Sequence, residues 1–200
     1  MGSRNVDQYG FRTSPADEEK YKFDQWAHAV TVITENHRMI HDGFFFDMSG
    51  LETALANGAN LDILITLPAG SFGHLVNVEY TMDDSPCMAY FYEGVTTSAD
   101  GAAANVRNHN RVNANDSSSA VITTGPTVTD VGTLLHQRYI PTAGGPVGQQ
   151  HGSLVSGEDN EWVIGSPTVE TKYMWRFTNN SGGAINVGYH FNGYEIGYEH

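Results

Sequence analysis

The chain has a single cysteine, Cys87, among 200 residues. No intrachain disulfide can form, and a zinc site built on several thiolates is excluded. Basic residues are also scarce: 10 Lys and Arg against 23 Asp and Glu leave a formal charge of −13. A chain of that sign has no electrostatic basis for gripping a nucleic-acid backbone, so no nucleic-acid partner is expected. No uninterrupted apolar run approaches the roughly 20 residues of a membrane-spanning helix, so no membrane insertion is expected. The opening "MGSRNVDQYGFRTSPADEEKYKFDQ" lacks the apolar core of a signal peptide, which predicts a protein made in a cytoplasm and not exported by that route. On that expectation the sequons Asn115-Asp116-Ser117 and Asn179-Asn180-Ser181 carry no sugar.

Catalytic signatures are missing too. "LPAGSFG" has Ala69 where a nucleophile elbow needs glycine, and no phosphate-cradling G-x-x-x-x-G-K-[ST] occurs. No H-x-H pair exists, although metal-binding double-sheet jelly rolls use one. The sequence therefore predicts a protein that is not an enzyme, with no catalytic, cofactor-binding or metal-ligating residue assigned.

What is present points to β-structure. Ten Tyr, nine Phe and three Trp accompany 22 Gly, and only 16% of residues are charged while 40% are hydrophobic. That is the make-up of a folded, turn-rich all-β chain of one domain. Residues 1–24 are polar and aperiodic and read as an N-terminal arm; 25–200 read as a single sandwich domain. Val30 and Val32 alternate as in a strand, and "GFFFDMSG" reads as another. "LETALANGAN" suggests one helical turn ended by Gly58. Leu61, Ile63, Ile65 and Leu67 share one face; Val76, Val78, Tyr80 and Met82 share another, opposite Asn77, Glu79 and Thr81. "CMAYFYEG" then reads as the third strand of a meander. "SAVITTGP" and "TLLHQRYIP" add two more, while "NVRNHNRVNANDSSS" and the Gly-rich 141–160 read as loops. Tyr173, Trp175 and Phe177 alternate, as do Ile185, Val187, Tyr189 and Phe191. The phase then slips at Asn192-Gly193, from a hairpin turn or a β-bulge, before Tyr194, Ile196 and Tyr198. Nine or ten strands at this spacing predict a two-sheet antiparallel β-sandwich, jelly-roll-like, with an extended arm.

Four groups of residues invite a functional reading. "ENHRMIHDGFFF" sets His37 and His41 four apart before Asp42, a conceivable ligand set, but it lacks the glutamate of H-E-x-x-H and is most simply read as packing around strands. Glu158, Asp159 and Glu161 offer hard oxygens for Ca²⁺ without EF-hand spacing, and a solvated loop is the simpler reading. Cys87 precedes an apolar strand and reads as a buried small hydrophobe. Trp162, Tyr173, Trp175, Tyr194 and Tyr198 could form a sugar-stacking platform, but period-two spacing favours core filling.

Several segments together resemble a family of tailed-phage virion proteins encoded among head genes. They are "RMIHDGFFF", "YFYEGVTTSADG", "NVRNHNR", "GPTVTDVGTLLHQRYI", "EWVIGSPTVETKYMWRFTNNSGGAINVGYHFN" and the terminal "GYEH", in order from about residue 37 onward. The resemblance implies a non-catalytic capsid decoration (cement) protein, a β-sandwich on the outer head surface of the virion, made in the host cytoplasm. Its implied partners are the major capsid protein and two further copies, as a homotrimer. A tail-associated receptor-binding or lectin-like module is the other reading of such a sandwich. The arm before residue 25 and the longer ending "NGYEIGYEH" depart from the family pattern.

Overall fold

A computed structural model describes residues 21–24, 29–32, 35–84, 86–112, 118–141, 150–156 and 161–197. In chain order the elements are β1 (Tyr21–Asp24), β2 (Ala29–Val32), α1 (Glu35–Asp42), β3 (Phe45–Leu55), β4 (Asn60–Leu67), β5 (Ser71–Met82), β6 (Cys87–Glu93), β7 (Thr96–Ala99) and β8 (Ala102–Ala103). There follow β9 (Arg107–Asn108), β10 (Val121–Thr124), β11 (Thr127–Asp130), β12 (Thr133–Ile140), β13 (Gln150–Ser156), β14 (Trp162–Ser166), β15 (Thr171–Asn179) and β16 (Ile185–Gly197).

The pairings nest. β3 lies antiparallel to β16, β4 to β15, β5 to both β14 and β13, and β6 to β12. This long folded-back ribbon is then rolled so that β16 also pairs β5 and β15 also pairs β6. The result is two sheets, β13-β5-β16-β3-β9 and β12-β6-β15-β4-β10-β8, with successive strands crossing between them. That is the jelly-roll arrangement, and the expected antiparallel sandwich is present. The meander is not. β4 and β6 belong to one sheet and β5 to the other, so each link crosses the sandwich instead of making a hairpin.

The interior follows from period two. Ile63, Val78, Ala89, Phe91, Trp175 and Phe177 point inward and are at most 1% exposed. Phe91 and Trp175 lie parallel, with centroids 4.4 Å apart. Truncating Phe91 to alanine there would cost about 3–5 kcal/mol. At one end Asn179, fully buried, donates Nδ2 to the carbonyls of Leu55 and Gly183 and accepts from the amide of Ser181. Its sequon is thus closed to an oligosaccharyl group, because the acceptor nitrogen is buried and engaged.

Other expectations are corrected. Residues 51–55 continue β3 instead of turning helically. Thr53 and Ala54 bulge opposite Asn186, with Ala54 at φ 56° and its amide donating to Asn186 Oδ1. Gln150–Ser156, inside the stretch read as a loop at 141–160, is an edge strand on β5. Within "NVRNHNR", Arg107 and Asn108 pair β3. Val76 does not share the inward face of Val78. The register slips there, and Val76 packs outward with Met39, Phe45 and Tyr194.

That slip explains the phase change at Asn192-Gly193. β16 runs straight through as one strand, so there is no hairpin, and the extra residue is Val76 on its partner. The apolar residues of β16 change face because α1 covers the outside of the first sheet at that point. Gly193 sits against the bulge, where a Cβ would lie 2.0 Å from the His74 carbonyl oxygen. The second sheet is likewise covered outside at one place. The β7–β11 ribbon brings Val95, Val128 and Val131 onto Leu64 and Met174.

Candidate functional site

The opening histidine stretch is a helix, not a strand. α1 places His37 and His41 one turn apart on its exposed face, Nε2 to Nε2 2.8 Å. Asp42 turns to Arg38 at 2.9 Å and does not join them. Met39, on the other face, is buried against Phe45. The helix ends where Asn110 Nδ2 donates to the His41 carbonyl and Asn108 Nδ2 to that of Gly43. Packing is thus its visible role. Among the described residues no three His, Cys, Asp or Glu side chains converge as a metal would require.

The acidic loop residues part company. Glu158 and Asp159 lie outside the described residues, whereas Glu161 reaches the outer face of the first sheet. Its Oε1 is 3.0 Å from His74 Nδ1, and Tyr194 donates its hydroxyl to Oε2 at 3.3 Å, with the His74 and Tyr194 rings stacked at 4.4 Å. Further along, Asp47 lies between His109 at 3.6 Å and His190 at 3.8 Å, and His190 reaches Glu79 at 3.5 Å. Glu79 is held below the usual carboxylate range, first by a hydrogen bond from Asn77 and then by His190. This ladder of imidazoles and carboxylates is assembled from β3, β5, β16 and two loops. Sequence spacing does not reveal it.

A hollow of about 320 Å³ opens where residues 102–108 and 118–122 close the edge of the sandwich. Its walls include Phe46, Val106 and Ile122, with Asn105, Asn108 and Ser118. Beside it the Glu195 carboxylate accepts from Ser118 Oγ, from the Ser119 amide and hydroxyl at 2.7 Å each, and from the Ala120 amide at 3.2 Å. Among the described residues, three alanines and Val121 complete the lining of the hollow.

The aromatics read as a platform are dispersed. Tyr173 and Trp175 are interior, Trp162 packs edge-on against Phe91, Tyr194 belongs to the cluster under α1, and Tyr198 lies outside the described residues. Cys87, 1% exposed, is a core residue whose burial pushes the thiol above its ordinary pKa.

A further outward face lies on the outside of the second sheet. Cross-strand register sets two rows: Gln137, Tyr90, Arg176 and Asp62, then Tyr139, Met88, Thr178 and Asn60. Tyr90 and Tyr92 stack at 5.9 Å, and Tyr139 is 58% exposed. Arg176 clamps Asp62 through Nε and Nη2, both at 2.7 Å, and Thr178 donates to Asn60 Oδ1 at 2.7 Å. Among the described residues β12 pairs β6 alone, so the face lies at the end of the strand order.

Compared with family models, curated proteins and solved structures, the chain matches none.

Proposed function

We propose that the protein is a non-enzymatic structural subunit of a tailed-phage virion, a decoration protein that binds the major capsid protein on the outer head surface and strengthens the shell. The observation that carries this reading is the β1–β2 ribbon. It pairs with itself and with no strand of either large sheet among the described residues. A lone two-stranded ribbon is marginal in water and gains stability when it lies on a neighbour. A protein whose work is attachment has use for such a ribbon beside a rigid body. The jelly roll supplies that body, with an interior of aromatic and aliphatic side chains.

Charge supports the outward position, since a −13 subunit facing packaged nucleic acid would be repelled by phosphate. Assembly as a homotrimer belongs to the same reading, with the exposed Leu134 of β12 as its candidate contact.

The reading is tested by adding purified protein to heads that lack it. Saturable binding to heads, abolished by deleting residues 1–32, supports it; labelling of the tail tip alone would replace it with the adhesin reading.

A further inference from the structure

We propose that the two open rows on the outer face of the second sheet form a binding platform for a neutral oligosaccharide. This role is independent of attachment to the head, and it uses different residues from those first suspected of stacking on sugars.

The geometry is that of a shelf with one wall. The four strands β12, β6, β15 and β4 place Gln137, Tyr90, Arg176 and Asp62 side by side, about 14 Å across at the usual strand spacing. The next row places Tyr139, Met88, Thr178 and Asn60 along the same line. The third row, Tyr92, Met174 and Leu64, is covered by the β7–β11 ribbon, so the ribbon bounds the shelf. Beside that wall Lys172 Nζ is tied to Asp100 at 2.7 Å and to Thr97 at 3.2 Å.

The chemistry selects sugar. A pyranose presents a C–H face and an edge of hydroxyls. An aromatic ring takes the first, having an apolar body and a negative face. Fixed donors and acceptors take the second, in place of water. Here Tyr90 and Tyr139 supply rings, and the amides of Gln137 and Asn60, the Thr178 hydroxyl and the Arg176–Asp62 clamp supply polar atoms. Of these, the Arg176, Asp62, Thr178 and Asn60 groups are already oriented by the clamp and by the Thr178–Asn60 hydrogen bond, which lowers the cost of ordering them on binding.

Neutrality follows from charge. The only ionic groups in the two rows cancel within the clamp, and a chain of −13 repels anionic glycans. A protein partner fits less well. It would bury the clamp under apolar surface and lose its hydration, whereas hydroxyls replace that hydration group for group.

The test uses the full chain on a printed array of neutral and sialylated oligosaccharides, with pull-down on insoluble cellulose, chitin and starch. Any neutral glycan retained is then titrated calorimetrically. Retention of neutral glycans is expected, with about a tenfold loss of affinity in Tyr139→Ala, the size of one aromatic contact. Tyr139 is 58% exposed, so its melting temperature stays that of the parent. Gln137→Ala, also exposed, serves as a second variant and weakens the same binding. The proposal is overturned if no neutral glycan is retained, or if both variants bind as the parent does. It is equally overturned if the array is silent and the variants shift the sedimenting mass, because the shelf is then a contact between copies.

Discussion

Arg176 and Asp62 face each other across β15 and β4 and share two parallel hydrogen bonds of 2.7 Å, with side chains only 18% and 12% exposed. The attraction raises the already high pKa of the guanidinium, chiefly through its hydrogen bond to Asp62. The pair lies between the surface and fully buried regimes. Arg176→Ala is therefore expected to cost about 2–3 kcal/mol, because it strands a carboxylate in a half-dry place. The double variant Arg176→Met, Asp62→Leu should recover most of that loss. Urea unfolding of the three proteins checks both statements.

Glycines 193 and 183 are expected to behave oppositely. A Cβ at Gly193 would run into the His74 backbone at the bulge, whereas one at Gly183 meets nothing within 4 Å. Gly193→Ala should lower stability by about 3 kcal/mol, through displaced strands, and Gly183→Ala by well under 1 kcal/mol. Paired thermal melts would show the contrast, and equal melts would refute the placement of the bulge.

The alkaline limb of stability should be set by buried phenols. Tyr80, Tyr92, Tyr173 and Tyr189 are each pushed above the usual value near 10, mainly by burial. A raised folded pKa means that the fold favours the protonated phenol. That contribution is complete below the unfolded pKa and is lost as pH rises through the folded one. An ultraviolet titration should show some tyrosines ionising late, together with unfolding. The Cys87 thiol should stay unreactive toward a disulfide reagent until that point.

The acid limb has the opposite sign. Glu79 is lowered first by Asn77, and Asp100 first by its hydrogen bond from Lys172. A depressed carboxyl stabilises above its unfolded pKa and stops doing so as pH falls through its folded pKa. Stability should therefore decline below the ordinary carboxylate range, and Asn77→Ala should shrink the Glu79 share of that decline. Guanidinium melts at a series of acid pH values provide the check.

The chain announces its interior well and its surfaces poorly. Tyr173, Trp175 and Phe177 alternate because one face of β15 is core, and the same alternation marks Leu61 to Leu67 on β4. α1 escapes notice because it is eight residues long and fully buries one apolar side chain, Met39, too little to impose a helical period. β13 escapes because "QHGSLVS" is a polar edge strand, held by the hydrogen bonds of β5. "LETAL" has helix-forming residues, but pairing with β16 overrides that preference and places the strain on Ala54. The shelf at Tyr90 and Tyr139 joins residues 49 positions apart through a register that no local pattern states.

His37 and His41 provide a simpler check on the reading of the chain as non-enzymatic. The double variant His37→Ala, His41→Ala should fold and carry no less zinc, nickel or iron than the parent. Among the described residues no three His, Cys, Asp or Glu side chains converge as an ion site, and a resident ion needs three or four ligands.

The central claim is that this subunit holds a phage head together from outside. A component that binds only the assembled shell lowers that state's free energy and raises the temperature at which it opens. The most direct measurement is release of packaged DNA on heating, compared between heads lacking the protein and the same heads resaturated with it. Resaturated heads should open at a higher temperature, and protein without residues 1–32 should give no protection. Equal opening temperatures with and without the bound protein would contradict the claim.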